Sequence, residues 1–210
     1  MTKNQLKKSD ANKHYNWLMG ADMYLAASVI LCDEMLKSYT SPIQGLNEDQ
    51  QIDKRCGFTS ANPDYEMLMP VIFNLKHGVE LYLKALIMRI NNKQEYPPSH
   101  DLLDLLNHLI REIKSKENIG KEQNGIDINI LDKNLRDIIG KYYFGLYAFA
   151  QQKAYPDINN EAERYPEYRN NMCYIVHKLY ELVSKSMLES IKSDCVFLQK
   201  TLREDILKKS

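Results

Sequence analysis

Between Leu68 and Ile90 the chain carries apolar side chains around most of a helix's circumference, and this stretch restricts the possible folds more than any other. At about 100° of turn per residue, Leu68, Ile72, Leu75, Val79, Leu83, Leu86 and Ile90 form a broad stripe, which Leu81, Tyr82 and Met88 widen. A helix covered so widely is a central, buried one. Phe73, His77, Glu80 and Lys84 lie along one narrow line away from that stripe, and Glu80 precedes Lys84 at the favourable i, i+4 spacing. Inside a bundle each charge needs the other, so the plain expectation is an internal ion pair that fixes helix register. The sharper one is a polar site floored by His77, Glu80 and Lys84, because titratable groups gathered away from water suit binding or proton transfer.

The rest of the chain reads as helices joined by polar connectors, with no strand pattern and no internal repeat. After a basic, frayed start over 1–9, Asp10 or Asn12 can cap a helix running to about Lys37, with Tyr15, Leu18, Leu25, Val29, Cys32 and Leu36 at helical spacing. Asp22 interrupts that stripe, and the simplest resolution rotates the buried face toward Met19, Met23, Ala26 and Ile30. Residues 38–62 hold Pro42, Gly45, Gly57 and an acidic-polar run without apolar period, which reads as a long loop suited to a lid. Pro70 either kinks the central helix or sits in its first turn. Beyond Pro97-Pro98, Ser99 can cap the next helix and Asp101 suits its positive end, while Leu102, Leu105, Leu106, Leu109, Ile110 and Ile113 make its buried face.

Leu131, Leu135, Ile138, Ile139, Tyr142, Leu146 and Phe149 restore helical spacing after a polar connector. The aromatic run Tyr142, Tyr143, Phe144, Tyr147 and Phe149 has no basic residues interleaved, so it reads as packing rather than a platform for bases. Pro166 can open a final long helix whose face runs from Met172 to Ile191, with 192–210 a helical tail that protrudes or pairs with a partner. The expected fold is therefore all-α: one helical-bundle domain spanning 1–210, with a long C-terminal helix.

Charge excludes some partners and leaves others. The 28 basic and 28 acidic residues cancel, so no global field draws the protein to DNA or an anionic membrane, and a nucleic-acid partner would have to use a local patch. Nothing marks a reader of DNA sequence. Cys32, Cys56, Cys173 and Cys195 are widely separated and form no C-x-x-C pair, which implies reduced thiols, a cytoplasmic setting and neither a zinc knuckle nor a disulfide framework. No apolar run approaches the roughly 18 residues that span a bilayer, so no membrane role is expected. No cofactor or metal is called for.

Two segments carry a resemblance. Asn74-Leu75-Lys76-His77-Gly78-Val79-Glu80-Leu81-Tyr82-Leu83-Lys84-Ala85-Leu86, followed by Ser99-His100-Asp101-Leu102-Leu103-Asp104-Leu105-Leu106, resembles the HEPN superfamily, in which a Glu-x-x-x-Lys helix precedes one opening on Ser/Thr-His-x-Leu. The resemblance covers mainly residues 70–110. It implies a helical bundle, often a homodimer, and membership of a group in which many proteins are metal-independent ribonucleases of toxin–antitoxin or antiviral defence systems, while others bind ligands or proteins and cleave nothing.

The cleaving members carry an Arg followed by a His on a late helix. The corresponding residues here are Arg169, Asn170 and His177, with His177 eight positions after Arg169, an interval longer than the family's usual one. On a helix that separation is little more than two turns and rotates His177 only about 80° from Arg169, so both can border one groove. The resemblance then makes His177 the proton-transfer residue, Arg169 the phosphate clamp and Asn170 a support, with Glu80, Lys84 and His100 ordering the bundle. Arg164-Tyr165-Pro166 matches a short element of some relatives without implying a role.

Two other readings use the same residues. A bundle without chemistry can present the long loop and the final helix to a partner protein or small ligand. Alternatively His100-Asp101, with His77 upstream, fits the metal ligands of the HD phosphohydrolases, although Asp101 equally suits a helix N-terminus.

Overall fold

The computed structural model describes residues 13–38, 67–91, 95–117, 128–142 and 184–207. They form helices α1 (Lys13–Ser38), α2 (Leu68–Asn91), α3 (Leu102–Glu117), α4 (Ile128–Tyr142) and α5 (Lys185–Leu207), and no strand occurs among them. The all-α helical bundle expected from the sequence is what these residues build.

Helix α2 is its centre. Fifteen of its residues are buried, including Leu68, Ile72, Leu75, Val79, Leu83 and Leu86 of the apolar stripe, and it touches all four other helices. Pro70 lies in its first turn, where a missing N–H leaves no helical bond unmade, and the first backbone bond runs from Val71 N–H to the Met67 carbonyl at 2.9 Å.

Helix α1 lies antiparallel along α2, since Gly20 faces Leu81, Leu25 faces Gly78, and the Ser28 hydroxyl donates to the Val71 carbonyl at 2.9 Å. Gly78 permits the close approach: a Cβ there would stand 2.9 Å from Leu25 Cγ and 3.3 Å from the Ala21 carbonyl oxygen. The buried face of α1 is Leu18, Ala21, Leu25, Ser28, Cys32 and Met35. The rotation toward Met19, Met23, Ala26 and Ile30 does not occur; Met19, Met23 and Ile30 are exposed. Asp22 needs no such rotation, because its carboxylate accepts the Tyr82 hydroxyl at 2.7 Å and its carbonyl accepts the Gln199 amide at 3.2 Å.

Helix α3 buries Leu102, Leu105, Leu106, Leu109 and Ile110, as its spacing predicts. Its cap is Asp101 rather than Ser99: Asp101 Oδ1 accepts the N–H of Leu103 at 2.8 Å and of Asp104 at 3.1 Å, and Ser99 Oγ supports it by accepting the Asp101 N–H at 3.2 Å. Helix α4 packs Leu135, Ile138, Ile139 and Tyr142 inward.

The expected final helix is not continuous. Ser184 is non-helical, its Oγ accepts the Met187 N–H at 3.1 Å, and α5 starts afresh at Lys185. Nor do residues 192–201 protrude, for Asp194, Cys195 and Leu198 are buried. Helix α5 runs antiparallel to α1, with Lys192 paired to Asp33 and Gln199 bonded to Asp22. It meets α4 where Asp194 receives both Lys141 Nζ, at 2.9 and 3.0 Å, and the Tyr142 hydroxyl at 2.8 Å. The predicted loop over 38–62 falls, from residue 39 on, outside the described residues.

Candidate functional site

One carboxylate gathers the polar residues of the central helix. Glu80 is 2% exposed, and Lys84, a turn further along α2, reaches its Oε1 at 2.9 Å. His100 arrives from the segment before α3 and places Nδ1 2.9 Å from the same oxygen. His77 stands on the other side, its Nδ1 3.7 Å from Oε2, which is within ion-pair range and beyond a hydrogen bond. The three groups come from two sequence segments twenty residues apart, joined at a single buried side chain.

Aromatic rings enclose the two inner partners. The Lys84 ammonium lies 5.1 Å from the Tyr96 ring centroid, and Tyr96 packs on Trp17 of α1 at 4.5 Å between centroids. A cation stripped of water by burial gains from that ring face as well as from the carboxylate. His77 is stacked against Phe73 at 5.5 Å and meets the edge of Tyr24 at 4.6 Å. It is a wall of the cluster rather than a group open to ligands.

His100 differs. Its side chain is 51% exposed, yet one ring nitrogen is fixed. A carboxylate only accepts, so an uncharged His100 carries its proton on Nδ1 and leaves the Nε2 lone pair without a partner among the described residues. The backbone beneath it is held on the next residue, where Asp101 uses Oδ1 as the cap of α3 and its carbonyl accepts the Leu105 N–H at 2.9 Å. Such an arrangement can orient an imidazole for proton transfer or for nucleophilic attack.

The five residues His77, Glu80, Lys84, His100 and Asp101, named from the sequence, thus meet at the α2–α3 junction, with Asp101 serving the helix end. Arg164, Arg169, Asn170 and His177 lie outside the described residues. Sequence reasoning missed Tyr96, which covers Lys84, and Trp17, which packs on Tyr96, because these contacts join three chain segments and leave no spacing signal. It also missed Lys76, 1% exposed on α2, and the Asp194 cluster, since nothing in one sequence pairs residue 141 with residue 194.

Among the described residues no group of three or more His, Cys, Asp or Glu is placed to hold a metal ion, and no helix among them is long and apolar enough to cross a membrane. No family model, no curated protein and no solved structure matches the chain.

Proposed function

We propose that the protein is an HEPN-like module that targets RNA or binds a partner in a bacterial stress or defence setting, working in the cytoplasm as a homodimer. The observation that supports this reading is the junction at Glu80. The Glu-x-x-x-Lys and Ser-His-x-Leu segments that carry the resemblance are bonded to each other, His100 Nδ1 to Glu80 Oε1 at 2.9 Å, as expected if they form one architectural device rather than matching by accident of composition.

In the catalytic form of this reading the reaction is metal-independent transesterification. His177 takes the proton from a ribose 2′-hydroxyl, the oxygen attacks the adjacent phosphorus to close a 2′,3′-cyclic phosphate, and the bond to the 5′-oxygen breaks, that oxygen leaving as a hydroxyl with a proton from solvent. Arg169 stabilises the charge that builds on the phosphorane oxygens, with Asn170 beside it. The experiment is cleavage of total cellular RNA and tRNA in EDTA by the wild type, Arg169→Ala and His177→Ala. Cutting by the wild type alone supports the assignment; an inert but folded wild type overturns it.

The second reading, a binding bundle without chemistry, has an observation of its own. Tyr15, Met19, Met23 and Ile30 are large, exposed and on one side of α1, and clustered apolar exposure of this kind marks interaction surfaces. Met19→Lys and Met23→Glu would then abolish the biological effect while Arg169→Ala and His177→Ala leave it intact.

A further inference from the structure

We propose that His100 is a nucleophile that takes a phosphoryl group on Nε2, with Glu80 as the residue that positions and activates its ring. The inference rests on the pairing of three features that no other described histidine combines. His100 Nδ1 is bonded at 2.9 Å to a carboxylate that is itself buried, the ring is 51% exposed, and Nε2 has no partner among the described residues.

Each of the other described histidines lacks one of these. His77 is 19% exposed and wedged between two aromatic rings. His108 uses Nε2, at 3.3 Å, to meet Glu112, whose own side chain is 30% exposed and free to reorient. His14 rests against Tyr15, and burial and nearby Arg89 act against its charged form. Glu80, by contrast, cannot swing away, because Lys84 Nζ grips the oxygen that His100 uses. The order nucleophile, base, fixed orienting group is the logic of catalytic triads, here with imidazole Nε2 first, Glu80 second and Lys84 third.

The electron count closes with an activated phosphoryl donor such as phosphoramidate or an acyl phosphate. The Nε2 lone pair forms the new N–P bond, the donor's P–N or P–O bond breaks, and its electron pair leaves with ammonia or the carboxylate. Positive charge developing on the ring is met by the buried Glu80 carboxylate, which holds the Nδ1 proton in its hydrogen bond at 2.9 Å. A phosphoryl group is favoured over an acyl one by persistence, since an N-phosphorylated imidazole survives at neutral and alkaline pH whereas an acyl imidazole hydrolyses. Because the ring is at the surface, the donor need not enter the core.

The test uses the full chain, potassium phosphoramidate and site-resolved mass spectrometry under alkaline conditions. His100 should be phosphorylated ahead of every other histidine, and Glu80→Gln should slow it by about ten- to hundredfold, the usual cost of losing an orienting partner. If Glu80→Gln does not fold, the ranking of histidines within the wild type decides alone. Modification of His14 or His108 as fast as His100, an unmodified His100, or a folded Glu80→Gln protein that reacts at the wild-type rate would each overturn the proposal. No RNA is involved, so failure of the ribonuclease reading leaves this outcome unaffected.

Discussion

A carboxylate 2% exposed has lost nearly all its hydration, and Glu80 recovers it from Lys84 and His100 at 2.9 Å each. Removing one member of a buried ion pair costs roughly 3–5 kcal/mol, because the other charge is left unpaired, whereas replacing both by apolar residues can be neutral. The Glu80–Lys84 pair, within one helix, is therefore weak evidence of net stability, and the meeting of two segments rests on the His100 bond to the oxygen that Lys84 holds. The buried thiol and phenol groups act through pH instead. Burial, then the neighbouring Asp33, pushes the Cys32 thiol from 9.0 up to about 12, and burial, then Asp194, raises the Tyr142 hydroxyl strongly. Both groups stay protonated in the fold while the unfolded chain ionises, so their contribution is complete below the unfolded values and is lost as pH rises. The melting temperature should fall steadily above pH about 9, less steeply in Cys32→Ala. A melting temperature unchanged between neutral pH and about pH 11 would contradict this.

Helices α1 and α2 are held together by the absence of a side chain. A Cβ on Gly78 would meet Leu25 Cγ at 2.9 Å and the Ala21 carbonyl at 3.3 Å; the first contact is a branched side chain without room to retreat in a packed core, the second is backbone. Gly78→Ala should thus destabilise by about 1–3 kcal/mol in urea unfolding despite the better helix propensity of alanine, and an unchanged or raised stability would show that the helices are further apart. This element also shows what a sequence reveals about packing. The apolar coverage of α2 and the leucine spacing of α3 were legible because each residue's environment is set by its own helix. The face of α1 was legible only in part: Leu18, Leu25 and Cys32 of its stripe are buried, but Asp22 looks like an intrusion until Tyr82, sixty residues away, supplies its hydrogen bond. Likewise the apolar period from Pro166 to Ile191 gives no sign of a boundary, yet Ser184 caps a helix that starts at Lys185.

Across the described residues the all-α class follows from the sequence, whereas Glu80, Lys84 and His100 were grouped only through the resemblance, and their meeting is what the structure adds. The aromatic cover of Lys84 does not follow from the sequence either, since Trp17, Lys84 and Tyr96 belong to three separate segments. Exposed Met19, Met23 and Ile30 lie on the side of α1 turned from the core, so the bundle keeps an apolar stripe that periodicity alone assigns to its interior. The bond between Glu80 and His100 joins the two segments that carry the resemblance and orients an exposed imidazole whose Nε2 has no partner among the described residues. The most direct test is a double-mutant cycle of Glu80→Gln and His100→Ala followed by urea unfolding. A coupling energy of about 1–2 kcal/mol is expected for residues in one hydrogen-bond network. Additive effects, with coupling below roughly 0.3 kcal/mol, would mean that the two segments are not joined at Glu80.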